Sequence, residues 1–262
     1  MAEIPDQVPG VLALDVGNTS LHFAHVRGEA VSPVQRVPLE KPEPLADELR
    51  ALWETIPPPR KIAAASVSPR GLELVESAAA KAAPGQAVLV VGRDLPLPIE
   101  TDLPDPRKIG TDRLCAAVAA FDRLGVACVV ADFGTAVTID CVSAEGVFLG
   151  GAILPGIGLS ARGLHEHTAQ LPLVQPVAPD WMYGKDTRQA IIGGLVYGLR
   201  GALRELVEAY ATELGHWPVV ILTGADAKLI CHDPNRSELV QAIVPDLVLR
   251  GVAMAYYKTL VK

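Results

Sequence analysis

The chain has 262 residues, half of them hydrophobic, with 23 Lys and Arg against 30 Asp and Glu and a formal charge of −7. That length lies where a single core begins to split, and that composition can fill a sizeable interior. The acidic balance and the lack of any Lys/Arg run argue against a nucleic-acid partner, and no uninterrupted apolar run reaches membrane-spanning length. Residues 1–10, MAEIPDQVPG, lack the basic start and apolar core of a signal peptide, so the cytoplasm is the expected compartment. Cys115, Cys128, Cys141 and Cys231 form no C-x-x-C pair, and buried free thiols are expected.

The first element is LALDVGNTSLHFAHV, Leu12 to Val26, which reads as two apolar strands with an Asp-x-Gly-Asn turn between them. VQRVPL supplies a third strand, and the bounded apolar runs KIAAASV (Lys61 to Val67) and AVLVVG (Ala87 to Gly92) read as buried strands. Between those two runs, PRGLELVESAAAKAAPG is rich in helix formers, with Pro69 near its start and Gly85 after its end. The Pro-rich pieces PVQRVPLEKPEP, IPPPR and LPLPIETDLPDP are expected to be surface loops.

The second half repeats this order. VVADFGTAVTIDCVS, Val129 to Ser143, is another apolar strand, Asp-x-Gly turn and alternating strand, about one small domain further along. A third strand at VFLGGAILP follows, then a helix near Leu159 to Gln170, a long helix from about Thr187 to Leu214, the strand VVILTG and terminal helices. His165-Glu166-His167 falls in a predicted helix, where positions two apart point to different sides, which argues against a metal cluster. Gly194, Gly198 and Gly201 lie on the long helix and mark either an intrachain packing contact or a homodimer interface. The alternation implies a mixed sheet flanked by helices in each half, with domains at 1–123 and 124–262.

Two similar lobes with facing Asp-x-Gly hairpins would form a cleft in which backbone N–H groups approach a polyphosphate. Glycine is required because a Cβ would block that approach. An Asp at each tip repels phosphate directly but can hold a cation between protein and phosphate. Nucleotide plus metal is therefore the expected ligand. No G-x-x-x-x-G-K-[ST] and no G-x-G-x-x-G opening a first strand-helix unit occurs.

DVGNT (Asp15 to Thr19), DFGTAVTID (Asp132 to Asp140) and GGAILPG together resemble the actin, sugar-kinase and heat-shock ATPase superfamily. With IGTDR (Ile109 to Arg113) and GKDT (Gly184 to Thr187) in this order and spacing, the chain resembles type III pantothenate kinases over nearly its whole length. The resemblance implies two duplicated actin-like, ribonuclease H-like α/β domains with an ATP cleft between them. It also implies ATP-dependent conversion of pantothenate to 4′-phosphopantothenate, the first step towards coenzyme A.

On that resemblance Asp15, Val16, Gly17, Asn18, Thr19, Ser20, Leu21 and His22 would wrap the ATP phosphates, with Asp15 near Mg2+ directly or through water. Asp132 would hold a monovalent cation, K+ or NH4+, and Thr135 would touch ATP. Gly110, Thr111, Asp112 and Arg113 would bind pantothenate, Asp112 as the catalytic proton acceptor, and Thr187 would reach the substrate from the neighbouring subunit of a homodimer. The chemistry is coherent, since Arg113 can fork onto a carboxylate and Asp112 can accept from a hydroxyl. Two alternatives carry the same fold: a regulatory accessory factor without kinase activity, and a superfamily kinase for another small hydroxyl acceptor.

Overall fold

A computed structural model describes residues 8–232 and 237–260. The described residues divide into two compact units, one from 1–123 with 246–262 and one from 124–245. Residues 246–262, which the sequence division leaves with the second half, cluster with the first.

In the first unit β1 (Gly10–Val16), β2 (Ser20–Arg27) and the short β3 (Ala30–Val31) form an antiparallel meander, with β4 (Gln35–Pro38) also on β2. Helix α1 (Leu45–Thr55) leads to β5 (Arg60–Ser66), parallel to β1, and α2 (Pro69–Ala82) leads to β6 (Val88–Val90), parallel to β5. Ser68 caps α2 by accepting from Gly71 N at 3.2 Å, and Pro69 takes the first helical position, where a missing N–H costs nothing.

Alternation sorts the strands into two faces. Leu12, Leu14, Val16, Leu21, Phe23, Ile62 and Ala64 join Leu49, Trp53 and Val75 of α1 and α2 in one core. The other face is built of small residues, Ala13, Ala24 and Ala63, and it is covered by α7 (Leu247–Tyr257), which is apolar on nearly all sides as a doubly buried helix must be. Asp15 is on this second face, because it pairs directly with His22 and with Ala65. The two-residue strand β7 (Glu100–Thr101) and a 3-10 turn at Pro106–Lys108 precede α3 (Thr111–Leu124).

The second unit repeats the plan. β8 (Cys128–Phe133), β9 (Ala136–Val142) and β10 (Val147–Pro155) are antiparallel neighbours, and β11 (Val219–Thr223) lies parallel to β8 with β12 (Ala242–Ile243) beyond it. Helices α4 (Ile157–Glu166), α5 (Thr187–Leu214) and α6 (Ala227–Ile230) supply the rest. Val129, Ala131, Phe133, Val137, Ile139 and Leu222 face a core with Val196, Leu203 and Val207 of α5. Asp132 lies on the opposite face.

The expected strands and the long helix occur where the sequence places them. The helix expected near Leu159 to Gln170 runs from Ile157 to Glu166, with His167 as its C-cap. Helix α1 was not legible among its prolines, although Leu45, Leu49, Leu52 and Trp53 are its buried stripe. All four cysteines are buried free thiols. No helix among the described residues is long and apolar enough to cross a membrane.

Candidate active site

Asp15 is the next-to-last residue of β1, with His22 directly across on β2. Their side chains meet at 3.6 Å between Nδ1 and Oδ2, both partly exposed. The turn between them is closed by Gly17 N donating to Ser20 O at 3.1 Å, and a Cβ on Gly17 would stand 3.2 Å from that same oxygen. Asn18 at the tip is exposed, while Val16, Ser20 and Leu21 are buried. The stretch Asp15 to His22 thus offers solvent a carboxylate, an imidazole and a glycine-centred turn.

The start of α3 is fastened beside it. Thr111 Oγ1 accepts from Ser66 N at 3.1 Å and donates to Ser66 O at 3.2 Å, so one hydroxyl satisfies both backbone groups at the end of β5. Ser66 is in register with Val16, next to Asp15. Asp112 follows in the first helical turn, where a carboxylate is favoured by the unpaired N–H groups, and it accepts from Arg113 N at 2.8 Å. Gly110 makes room for it, since a Cβ there would fall 2.5 Å from Asp112 Oδ1 and 3.2 Å from Val67 Cγ1.

Cys115, one turn further along, reports how the two carboxylates sit. Its thiol is held well above the usual range first by complete burial, then by the charges of Asp112 and Asp15. The first unit therefore gathers Asp15, His22, Thr111 and Asp112 at one end of its sheet. Cys115 and Ser66 belong to this arrangement, and no local motif in the sequence flagged either.

In the second unit Asp132 is the next-to-last residue of β8, paired with Thr138 on β9 and Thr223 on β11. Its surroundings are glycines. Gly134 N donates to Ala136 O at 3.1 Å and Gly156 N to Thr135 O at 3.0 Å. A Cβ on Gly156 would collide with the carbonyls of Gly134 and Thr135, and one on Gly224, whose φ is +91°, with Asp132 Oδ1 and the Phe133 carbonyl. Only glycine serves at either place. Gly156 and Gly224 were not among the expected site residues, although each closes an apolar strand in the sequence.

Thr187 stands elsewhere in this unit, exposed, as the first residue of α5. Asp186 caps the helix by accepting from Gln189 N at 2.9 Å, and Gln189 Oε1 in turn accepts from Lys185 N at 2.9 Å. Gly184 packs so tightly on the first turn that a Cβ would overlap the backbone of Ala190. The GKDT motif is thus a helix start that fixes Thr187.

Among the described residues no cluster of three or more His, Cys, Asp or Glu could hold a metal. A lone carboxylate still suits Mg2+, which keeps several waters and takes one or two carboxylates together with phosphate oxygens. Near Asp132 two oxygen ligands lie together, because the Phe133 carbonyl and the carboxylate both lie against Gly224. Oxygen ligands suit a hard cation.

The family model of type III pantothenate kinase matches residues 11–209. The chain belongs to that family. It is 32% identical over 257 residues to the type III pantothenate kinase of Agathobacter rectalis, covering 95% of this chain and 97% of the relative. With the type III pantothenate kinase of Akkermansia muciniphila it shares 41% over 162 residues, 62% of this chain and 66% of that one. A solved structure from Campylobacter jejuni, described as a conserved Baf family transcriptional activator, superposes with a TM-score of 0.60 at 20% identity, over 95% of this chain and 98% of that one. That likeness shows the fold alone, which is the actin-like α/β architecture in two mixed, helix-flanked sheets. The kinase phosphorylates an alcohol group, that of pantothenate, in coenzyme A biosynthesis, and ATP with Mg2+ is the family's phosphoryl donor.

Proposed function

We propose that in this kinase Asp112 accepts the hydrogen bond of pantothenate's primary hydroxyl while Arg113, Gly110 and Thr111 position the rest of the acceptor. The observation that carries this reading is the pair of hydrogen bonds between the Thr111 hydroxyl and the Ser66 backbone, which fixes the start of α3 beside the strand bearing Asp15. An Asp with an ordinary pKa near 3.9 is a weak base for an alcohol, but phosphoryl transfer is loose and the acceptor group mainly orients the nucleophile until late. Asp112 aims the hydroxyl and takes its proton as the new bond forms. The turn Asp15 to His22 lines the triphosphate with backbone N–H groups. Asp15 would hold Mg2+, directly or through water, and the bound ion would supply neutralisation of the phosphate charge.

Asp132 belongs with the nucleotide half of the reaction, together with Thr135. A carboxylate beside phosphate is tolerable only with a cation between them, so K+ or NH4+ is assigned to Asp132 and the Phe133 carbonyl. The enzyme works in the cytoplasm on a soluble acid, without a nucleic-acid or membrane partner.

Thr187 completes the pantothenate site of a neighbouring subunit in a homodimer. Gly194, Gly198 and Gly201 support this. They lie at helical spacing on one side of the 28-residue α5 with nothing within 4 Å of where a Cβ would be, and Thr187 is on the same side. Each interior glycine costs a helix about 1 kcal/mol against alanine, which a close helix partner would offset. Subunit exchange tests it: Asp112→Asn and Thr187→Phe proteins, each inactive, are mixed and ADP release with pantothenate is followed. Shared sites place both lesions in one site of a mixed two-fold dimer, so roughly a quarter of normal activity returns. If none returns although exchange is complete, Thr187 acts within its own chain or not at all.

A further inference from the structure

Across the first sheet Asp15 of β1 is paired with His22 of β2, and His22 is paired in turn with Arg36 of β4. Directly paired residues share a face, so the three side chains form one row, about 10 Å from end to end. The row lies on the face turned from the larger core. Val37, next to Arg36, is buried in that core, while Arg36 itself is exposed. Strand β4 is also fastened to the glycine turn, because Leu39 N donates to Thr19 O at 2.9 Å just beyond the pair of Ser20 and Pro38. Arg36 is therefore held beside the turn proposed to line the triphosphate.

Among the described residues Arg36 makes no hydrogen bond or ion pair, and the acid of its own row, Asp15, is met instead by His22 Nδ1 at 3.6 Å. The guanidinium is free for a ligand. A charge on an edge strand can also guard against pairing with another chain, but Pro38 within β4 and Pro33 just before it already do so. A planar fork of N–H groups matches phosphate oxygens two at a time.

We infer that Arg36 binds the phosphate that leaves with ADP, a role that rests on the reading of Asp15 to His22 as the phosphate turn. The order of the strands decides which phosphate. On one side of β1 lies β5, whose end at Ser66 holds the start of α3 with Asp112, and on the other side lie β2 and then β4. The acceptor hydroxyl thus comes from one flank of Asp15 and the guanidinium from the opposite flank. As the acceptor oxygen bonds to the γ-phosphorus, the bond from that phosphorus to the β,γ-bridging oxygen breaks, the hydroxyl proton passes to Asp112, and the electron pair stays on the β-phosphate of ADP. Attacking and leaving oxygens are in line, so charge builds on the flank away from Asp112. Arg36 stabilises that charge.

The test is calorimetry of the full chain with ATP, ADP and pantothenate in the presence of Mg2+. Arg36→Gln should weaken ATP and ADP alike by about tenfold, the low end for a charge-assisted bond, and leave pantothenate within about twofold. Arg36→Lys, which keeps the charge without the fork, should limit the loss to about threefold. Because the side chain is exposed, Tm should move by less than about 2 °C in either variant. Lys61→Gln removes the same charge at the far end of the sheet, where Lys61 pairs with Val11, and should bind ATP as wild type does. Asp15→Asn reports on the turn itself: if it binds ATP normally, the reading of the turn falls and this proposal with it. If Asp15→Asn weakens ATP while Arg36→Gln does not, Arg36 alone is removed from the site. The proposal is also overturned if ATP is weakened but ADP is not, if pantothenate is weakened equally, or if Lys61→Gln matches Arg36→Gln.

Discussion

Asp15 and Asp132 occupy matching places in their units: next to last on a central strand, on the face turned from the larger helix-packed core, with one antiparallel and one parallel strand beside them. The parallel neighbours then finish differently. In the first unit β5 ends at Ser66, whose two backbone groups hold Thr111 and so bring in a helix carrying a second carboxylate. In the second unit β11 ends at Thr223 and Gly224, which turns at a positive φ and presses its bare Cα against Asp132 and Phe133. One strand end gathers side chains; the other admits backbone. Phosphoryl transfer calls on both kinds of group, side-chain acceptors for a hydroxyl and glycine-lined backbone for phosphates, and the two strand ends differ in which kind they present.

If that division holds, the two halves fail in different ways. Asp112→Asn should lower turnover by roughly a hundredfold or more while ATP affinity, measured by calorimetry, stays within about twofold. Equal losses in turnover and ATP binding would erase the distinction. Asp132→Asn should cost about ten- to a hundredfold, the range for a lost charge-assisted contact, and should also flatten the response of the rate to added K+ or NH4+. A wild-type enzyme fully active without either ion would remove the cation from Asp132.

Much of this contrast could be read before the structure, because both hairpins announce themselves by an apolar strand, Asp, a spacer and Gly. The flanking partners could not. Ser66 is one small polar residue at the end of an alanine-rich strand, and it matters only because Thr111, far along the chain, returns to it. Likewise Gly224 is an ordinary strand-end glycine until the register of β11 against β8 sets it on Asp132. Helix α7 was legible as a helix, but its attachment to the first unit was not, since its all-round apolar surface names no partner. Local pattern fixes elements, whereas contacts between distant segments depend on packing that one sequence does not spell out.

Glycine replacements sharpen the comparison at lower cost. Gly224→Ala forces a Cβ into backbone at a positive φ, so unfolding should be easier by about 1–3 kcal/mol and ATP affinity should fall with it. Gly110→Ala meets the tip of the Asp112 side chain, which can turn away. Its stability should change by less than about 1 kcal/mol while turnover drops, and denaturant titration beside steady-state assays separates the two outcomes.

The smallest expected effect concerns the thiols. Burial first, then Cys141, pushes Cys128 up to about 12, and burial first, then Asp140, pushes Cys141 to about 11. These two belong to the second unit, whereas the raised thiol of the first, Cys115, is held by burial with Asp112 and Asp15. A thiol whose folded pKa lies above its unfolded one favours the folded state below about pH 9, and that stability is lost as pH climbs from there towards 12, because the unfolded chain releases the proton first. Cys128 alone should contribute a loss of roughly 1 kcal/mol by pH 10. Urea titrations at pH 8 and pH 10 on wild type and Cys128→Ala should show the variant losing less over that interval, with the tyrosines and lysines common to both cancelling. The same comparison for Asp112→Asn should leave the alkaline loss nearly unchanged, since burial is the largest cause at Cys115 and Asp112 only the second. A large flattening there would make the Asp112 and Asp15 charges, rather than burial, the main hold on that thiol.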